Sequence, residues 1–389
     1  MHITPRPLGL YLHIPFCRQK CAYCDFYSLS GQDARMDDYV DALCAHLTEA
    51  APSASGHQID TIYFGGGTPS LLGPKRLTTL LKTVSKRYHV AKDAEITLEA
   101  NPESAGDWKA LKTLRKAGFN RLSLGMQSAS DAELQHIGRV HTMEQVTAAV
   151  EAARKARFEN LSLDLIYGLP GQSSEQWQEN LAAAVSLAPE HLSCYGLKVE
   201  PGTPLYARQA EEDLPDDEAQ ADMYLYTVEY LAQNGYAQYE ISNFAKPGCA
   251  CRHNLGYWRQ TPYLGLGPAA ASMLPGRTPE EFSLRRTNVR DLAAYLRQSH
   301  QGRFQPAEEE SVSPAEARFE TMMLGLRTTK GVNEAAFTAM HGVALSDVYG
   351  AKLAELETQG LLCHTGGWWR LTRRGMDVQN GVLVELMEE

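Results

Sequence analysis

The stretch Cys17-Arg18-Gln19-Lys20-Cys21-Ala22-Tyr23-Cys24 gathers three thiols on one short segment near the start of the chain. At C-x3-C-x2-C spacing, three thiolates can reach three corners of a cubane iron–sulfur cluster. Structural zinc sites and ordinary all-cysteine clusters use four protein ligands, so a site with three leaves one iron open to an outside molecule. The next cysteine, Cys44, falls in a segment with a helical pattern. Two other interpretations remain open: three unrelated buried thiols, or a zinc site completed by His13.

The composition of the chain restricts its class and compartment. A length of 389 residues suits two or three domains, and a net charge of −10 disfavours a non-specific phosphate-binding surface. Eight cysteines in so long a chain are too few for a disulfide scaffold, and a thiolate-bound cluster needs reduced cysteines. The start of the chain lacks the apolar run of a signal peptide, and no run of about 18 apolar residues occurs. We therefore predict a cytoplasmic protein without a membrane span.

Short apolar runs alternate with longer amphipathic runs from residue 8 to about residue 200. The predicted strands are Leu8–Pro15, Thr61–Phe64, Glu95–Glu99, Arg121–Met126, Leu161–Ile166 and Leu192–Val199. The predicted helices between them are Asp37–Ala50, Pro74–Tyr88, Ser104–Ala117, Met143–Arg157 and Glu175–Leu187. Strand and helix alternating about six times predicts an α/β fold, with a parallel sheet and helices on its outside. Periodicity alone does not separate an open doubly wound sheet from a barrel.

The residues with chemical potential follow these strands, at the edge where α/β barrels carry their sites. The run Gly65-Gly66-Gly67-Thr68-Pro69 follows the second predicted strand. Glycines at a strand end let a ligand or another backbone approach closely, although a lone glycine run is usually an ordinary turn. Glu99, Gln127 and Asp164 belong to the next three strands or their ends. Taken singly, each of these polar residues is more often part of a surface ion pair or otherwise satisfied.

A three-cysteine loop followed by this glycine run on the next strand resembles the radical-SAM superfamily. The resemblance implies a partial (β/α)6 barrel. It also implies a 4Fe–4S cluster bound by Cys17, Cys21 and Cys24, with S-adenosylmethionine at the open iron. By the same resemblance, Gly66, Gly67 and Thr68 hold the methionyl group, while Tyr11 and Tyr23 flank the cluster. Either tyrosine could equally be an ordinary core residue.

Residues 8–272 resemble, more specifically, the oxygen-independent coproporphyrinogen III oxidases, the HemN family. The match implies that Glu99, Gln127, Arg139 and Asp164 contact S-adenosylmethionine. A carboxylate can accept hydrogen bonds from both ribose hydroxyls, and an arginine can hold a carboxylate with two hydrogen bonds.

Two details resemble the HemW family of heme chaperones instead. Phe26 stands where the oxidases have a further cysteine, and His253-Asn254-Leu255-Gly256-Tyr257-Trp258 matches the H-N-x-x-Y-W string of those chaperones. A histidine can supply an axial nitrogen to heme iron, and Tyr257 and Trp258 could pack against the porphyrin. The alternative is a structural histidine beside two core aromatic residues.

The segments around this string add two further points. The run Cys249-Ala250-Cys251-Arg252-His253 is not the C-x-x-C-H of covalent attachment, so we predict non-covalent heme. Ala271 stands where the family commonly has a histidine.

The chain divides into three predicted domains. Residues 1–205 form the radical-SAM core, residues 206–305 an extension with the H-N-x-x-Y-W string, and residues 306–389 a small winged-helix-like α+β domain.

In the extension we predict a helix at Ala219–Asn234 and a strand near Gln238–Phe244, and Glu308–Glu310 reads as a linker. In the last domain we predict helices at Pro314–Gly325, Asn333–His341 and Ser346–Gln359, then a hairpin of Leu361–His364 and Trp368–Leu371. The third helix is acidic, so we expect no nucleic-acid partner.

Two functions from different classes follow from these resemblances. One is a heme chaperone that binds the cluster, S-adenosylmethionine and heme, and passes heme to acceptor proteins, some of them membrane-associated. The other is a radical enzyme that oxidatively decarboxylates coproporphyrinogen III, with a flavodoxin or ferredoxin as electron donor. Phe26 and the His253 string favour the chaperone.

Overall fold

The computed structural model describes residues 6–387, and its first six strands form a partial barrel. The strands are β1 (Arg6–Ile14), β2 (His57–Gly66), β3 (Val90–Ala100), β4 (Arg121–Gln127), β5 (Asn160–Tyr167) and β6 (His191–Gly196). They are parallel and lie side by side in sequence order. A doubly wound sheet reverses direction at an internal strand, and this one does not. The predicted partial (β/α)6 barrel is therefore confirmed.

Helices lie between successive strands, close to the predicted positions. They are α1 (Met36–Ala50), α2 (Gly73–Arg87), α3 (Pro102–Ala105), α4 (Trp108–Ala117), α5 (Asp131–His136), α6 (Met143–Lys155) and α7 (Ser174–Ser186). The single helix predicted at 104–117 is wrong, because the chain breaks at Gly106 and starts again where the Asp107 side chain accepts from the backbone N–H of Lys109. Helix α5 was not predicted.

The strands of the barrel are apolar outside and polar inside. Leu122, Leu124 and Met126 of β4 alternate with Arg121, Ser123 and Gly125, and only the second set faces the interior. The same alternation recurs in β3, β5 and β6. Barrels of this class usually fill their interior with branched apolar side chains. Here the inward side chains are mostly polar and line a cavity, where they can bind a polar ligand.

The sheet continues on both sides of the barrel. The extension contains α8 (Pro204–Arg208), α9 (Asp217–Gln233), β7 (Ala237–Gln238), β8 (Asn243–Ala245), α10 (Arg252–Trp258), β9 (Tyr263–Leu266), β10 (Ala271–Pro275), β11 (Ser283–Asn288), α11 (Leu292–His300) and β12 (Pro306–Val312). Strand β8 pairs antiparallel with β6, and β9 pairs parallel with β1. The strand predicted near residues 238–244 is in fact the two short strands β7 and β8, paired with each other.

The acidic run predicted as a linker is also a strand. Glu308, Glu309 and Glu310 lie in β12, which pairs antiparallel with β11. The side chain of Glu309 accepts hydrogen bonds from Arg286 and Arg277, each at 2.8 Å. Charged residues are common on exposed edge strands, because they discourage pairing with other chains. The prediction was wrong because these charges are paired across the sheet, and do not belong to a solvated connection.

The C-terminal part has its own hydrophobic core and a small sheet of order β13-β15-β14. Its elements are α12 (Pro314–Leu326), β13 (Val332–Asn333), α13 (Glu334–His341), α14 (Leu345–Thr358), β14 (Leu362–Thr365), β15 (Trp368–Leu371), α15 (Arg373–Asp377) and α16 (Gln379–Glu385). The three predicted helices and the hairpin are confirmed. Gly360 follows α14 with a φ of 72°, as expected for a glycine that ends a helix.

Residues 1–5 and 388–389, at the ends of the first and last predicted domains, lie outside the described residues. Within residues 6–387, none of the helices combines the length and the apolar character needed to cross a bilayer.

Candidate functional site

A cavity of about 480 Å³ opens at the carboxyl ends of the barrel strands. The register brings these ends to one edge, since Ile14 of β1 pairs with Gly66 of β2 and Tyr167 of β5 pairs with Gly196 of β6. The volume lies within the range of small-molecule and cofactor sites. Eleven of the fifteen predicted site residues line it: Cys17, Cys21, Tyr23, Cys24, Gly66, Gly67, Thr68, Glu99, Gln127, Arg139 and Asp164. The other four, Tyr11, His253, Tyr257 and Trp258, do not.

The three thiols of the loop after β1 lie together at this cavity, and all are free of disulfides. The hydroxyl of Thr68 donates to the Cys17 sulfur at 3.5 Å, and the Arg139 guanidinium donates to the Cys21 sulfur at 3.5 Å. Burial raises the pKa of the Cys17 and Cys24 thiols, and the Thr68 hydrogen bond opposes that effect at Cys17. Bound iron would hold the sulfurs as thiolates, since a coordinating thiol loses its proton. Three free thiols on one loop, two of them beside donors, fit a cluster held by three cysteines.

A zinc site completed by His13 is not supported by the arrangement of that side chain. His13 is buried, and Nδ1 lies 3.1 Å from the hydroxyl of Tyr11 while Nε2 donates to the carbonyl oxygen of Tyr27 at 2.8 Å. Both nitrogens are thus already in use. Among residues 6–387, no three His, Cys, Asp or Glu side chains converge closely enough to hold a single metal ion. A cubane cluster instead needs its thiolates spread around a larger group.

The glycine run at the end of β2 is required by the protein's own packing. A Cβ atom on Gly66, whose φ is 111°, would lie 2.5 Å from the His13 ring. A Cβ atom on Gly67 would lie 2.6 Å from the carbonyl oxygen of Phe16 and 2.9 Å from that of Ile14. The sequence predicted that these glycines admit a ligand or another backbone. Here they admit β1 and the start of the cysteine loop, and Gly66 and Gly67 also line the cavity, so contact with a ligand stays a prediction.

Replacing Gly67 with alanine should therefore damage the cluster site through the backbone. The added methyl group would push the chain away at Phe16, next to Cys17, at a cost on the order of 1–3 kcal/mol. Iron content after reconstitution and S-adenosylmethionine affinity should both fall. Gly106→Ala is the matched control, because no atom lies within 4 Å of its Cβ position. Equal iron content and affinity in the two variants would contradict the packing argument.

Glu99 lies at the end of β3 and faces the cavity. Its Oε1 accepts from the Tyr63 hydroxyl at 2.7 Å, and its Oε2 accepts from the backbone N–H of Gly66 at 3.1 Å. Burial raises the pKa of Glu99 to about 7, and the Tyr63 hydrogen bond acts in the opposite direction. Each carboxylate oxygen has two lone pairs. One on each oxygen therefore remains for a ligand.

Gln127 and Arg139 reach the cavity from the β4 side. The pairing of β4 with β5 shifts register at Gln127, which has a φ of 65°. Such bulges redirect side chains and are frequent near functional sites. The Arg139 guanidinium donates to Asn101 at 2.7 Å and to the carbonyl oxygen of Gly125 at 2.9 Å, and Asn101 donates to Thr68 at 3.0 Å. This hydrogen-bond chain ties the end of β4 to the Cys17 and Cys21 thiols.

Asp164 and Tyr23 both line the cavity. Asp164 accepts from the hydroxyls of Ser123 at 2.9 Å and Ser162 at 3.2 Å, and burial raises its pKa. Its oxygens thus already have donors within the barrel. Tyr23 packs against a small apolar cluster that includes Ile166.

Sequence reasoning missed two residues of this site, Tyr63 and Asn101. Both have an available signal. Tyr63 precedes Gly65 by two positions on β2, and Asn101 follows Glu99 by two, directly after the end of β3, so the period of two places each on the inward side.

His253 lies beneath this cavity, in the amino-terminal half of the barrel. It is 3% exposed, with Nδ1 2.8 Å from the Thr61 hydroxyl and Nε2 2.8 Å from the Tyr257 hydroxyl. Burial lowers the pKa of its imidazole to about 3, so the ring is neutral at physiological pH. In this arrangement neither nitrogen is free to bind iron.

Helix α10, which carries His253, separates two cavities. Cys251 and Asn254 border the main cavity, while His253 and Tyr257 border a second one of about 250 Å³ on the opposite side. The Glu95 carboxylate accepts from the backbone N–H groups of Arg252 and His253, both at 3.0 Å, and so fixes the start of the helix.

The remaining predicted aromatic residues have protein partners. The Tyr257 ring packs edge-on against Tyr263 at 4.7 Å, and the half-buried Trp258 hydrogen-bonds to Glu240. Tyr11 bonds to His13 below the cavity. Ala271 is exposed at the start of β10 and lines neither cavity.

A partial barrel with three free cysteines at the mouth of a polar cavity defines a radical-SAM protein. The family model described as Radical SAM superfamily matches residues 11–184, and that described as HemN C-terminal domain matches residues 312–378. The chain is 37% identical over 385 residues to the heme chaperone HemW of Escherichia coli (strain K12), covering 98% of this chain and 99% of that protein. It is 36% identical to the heme chaperone HemW of Bacillus subtilis (strain 168), covering 97% and 99%. The chain therefore belongs to the HemW family.

The solved structure of coproporphyrinogen III oxidase (HemN) from Escherichia coli has the same fold along nearly the whole chain. The TM-score is 0.82 at 26% identity, covering 98% of this chain and 90% of that one.

Proposed function

We propose that this chain is a heme chaperone, which binds a 4Fe–4S cluster, S-adenosylmethionine and heme and passes heme to acceptor proteins. One observation carries the proposal. Three free thiols and the polar side chains predicted to contact S-adenosylmethionine surround a single cavity, in a chain related to HemW chaperones along almost its full length.

The main cavity provides both cofactor sites in this proposal. Cys17, Cys21 and Cys24 would hold the cluster, which would supply an open iron for S-adenosylmethionine and the electron for its reduction. Glu99 accepts from the ribose hydroxyls through its free lone pairs. Arg139 donates to the Cys21 sulfur and to Asn101, and Asn101 in turn donates to Thr68.

The heme site is proposed at α10, with His253 as a non-covalent axial ligand. The structure sets a condition on this assignment, because both ring nitrogens are hydrogen-bonded and the side chain is buried. The second cavity, at about 250 Å³, is smaller than the usual range for cofactor sites. Heme binding through His253 therefore requires α10 to move and at least one of the two hydrogen bonds to break.

The cluster loop also suggests where reducing partners bind. Arg18 and Lys20 are exposed beside the cluster cysteines. A flavodoxin or ferredoxin, as an acidic electron donor, would be complementary to this charge. Such partners and reduced thiols belong to the cytoplasm, where we propose that the protein acts.

Oxidative decarboxylation of coproporphyrinogen III is the second candidate function. The fold similarity to HemN over 98% of the chain favours it. Phe26 argues against it, since this residue stands at the mouth of the cavity with 68% of its surface exposed, where those oxidases have a cysteine.

The proposed function is tested by titrating hemin into the reconstituted, cluster-loaded protein. Stoichiometric binding with a defined Soret band is expected. The loaded protein should then transfer heme to apomyoglobin faster than heme-loaded serum albumin does. Binding no tighter than that of an unrelated protein of similar charge would contradict the proposal.

A further inference from the structure

Among the described residues, Tyr63 is the one side chain that donates a hydrogen bond to the Glu99 carboxylate. It lies on the inward face of β2, two residues before the glycine run. Its hydroxyl reaches across to β3 and donates to Oε1 of Glu99 at 2.7 Å. Burial raises the pKa of Tyr63 well above its ordinary value, so the phenol remains a donor.

Packing holds the Tyr63 ring in place from several sides. The His253 ring stacks on it with centroids 5.0 Å apart, and Tyr11 stacks with centroids 6.2 Å apart. Gly65 makes the arrangement possible, since a Cβ atom there would lie 2.9 Å from the Tyr63 ring and 3.0 Å from the Tyr11 ring. Side chains fixed in this way are the ones that can hold a binding group in a defined geometry.

We propose that Tyr63 is a positioning residue for S-adenosylmethionine binding, which fixes the Glu99 carboxylate and favours its ionised form. The inference rests on the proposed function, in which Glu99 accepts from the ribose. Tyr63 occupies one lone pair of Oε1 and thereby directs the other toward the cavity. Because His253 stacks on the same ring, Tyr63 also connects the proposed heme ligand to the S-adenosylmethionine site.

The electrostatic surroundings of Glu99 make the proposal testable by pH. Asp164 of β5 faces it and raises its pKa, and Tyr11 of β1 and Tyr257 of α10 face it as neutral phenols. The hydrogen bonds from Tyr63 and Gly66 lower the pKa. Since the ionised carboxylate accepts both ribose hydroxyls, affinity should rise as pH increases through about 7. Losing the Tyr63 hydroxyl should move that midpoint to higher pH.

The experiment is calorimetric titration of S-adenosylmethionine into cluster-loaded protein between pH 6 and pH 9, for wild type, Tyr63→Phe and Glu99→Gln. In Tyr63→Phe, affinity at pH 7 should fall about fivefold, as expected for a pKa rise of about one unit, and should recover toward wild type at high pH. In Glu99→Gln, the rise in affinity through about pH 7 that is due to Glu99 should vanish. Titration of the ligand's own amino group is common to all three proteins and cancels in the comparison.

Tyr88→Phe is the matched control, because its buried hydroxyl donates to the carbonyl oxygen of Leu47, outside the site. It should keep the wild-type pH profile. Identical profiles for wild type and Tyr63→Phe would overturn the proposal, as would identical profiles for wild type and Glu99→Gln if Tyr63→Phe does not fold. Failure of the wild type to bind S-adenosylmethionine would instead refute the proposed function.

Discussion

Cys17→Ala should lose the 4Fe–4S cluster, with iron and sulfide falling to background after anaerobic reconstitution. The same result is expected for Cys21→Ala and Cys24→Ala, because a three-ligand site has no spare thiolate. Of the other cysteines only Cys251 lines the cavity, and its buried thiol donates to Glu95. The visible absorbance of the bound cluster should disappear with the iron.

Cys44→Ala is the control for this prediction. Its half-buried thiol lies on α1 and bonds to Thr83, away from the cavity. It should keep full iron and sulfide content. Full retention in Cys17→Ala or Cys24→Ala would refute the cluster assignment, and so would loss in a folded Cys44→Ala protein.

The second large effect concerns heme and distinguishes ligation from packing. If His253 binds the iron, His253→Ala should shift the Soret band and weaken affinity at least about tenfold, since the axial donor sets the ligand field. Tyr257→Phe should do the opposite. It removes the hydroxyl that now occupies Nε2, and the loss of one neutral hydrogen bond should tighten heme binding about fivefold. Heme titration followed by absorbance measures both effects.

His300→Ala controls for adventitious ligation, because exposed imidazoles bind heme readily and His300 is exposed on α11. It should leave the spectrum unchanged. A His253→Ala protein with wild-type spectrum and affinity would show that His253 only supports the floor of the barrel, where Thr61 and Tyr257 now hold it.

Much of the fold could be predicted because its signals are local. Each barrel strand is a short apolar run beside an amphipathic helix. The three predicted cluster ligands all lie in the short segment Cys17–Cys24. Glu99, Gln127 and Asp164 could be brought together from sequence because parallel strands end at one edge of a barrel.

The rest could not be predicted, because contacts between residues far apart in the chain decide it. Glu309 reads as a solvated charge in a linker, and that prediction was wrong because Arg286 of the neighbouring strand and Arg277 both pair with it. The assignment of His253 as a heme ligand stays a prediction, but its spacing gave no sign that Thr61, 192 residues away, bonds to its ring. Nor did the glycine run show that the His13 ring lies against Gly66 and the carbonyl oxygen of Phe16 against Gly67. In each case the partner lies far along the chain, where spacing and periodicity carry no information.

The central claim is that this protein binds and transfers heme and does not convert coproporphyrinogen III to protoporphyrinogen IX. The most direct measurement is anaerobic incubation of the heme-binding, cluster-loaded protein with coproporphyrinogen III, S-adenosylmethionine and a low-potential reductant, followed by porphyrin analysis. We expect coproporphyrinogen III to be recovered unchanged. Conversion to protoporphyrinogen IX over many turnovers would contradict it and assign the chain to the oxidases.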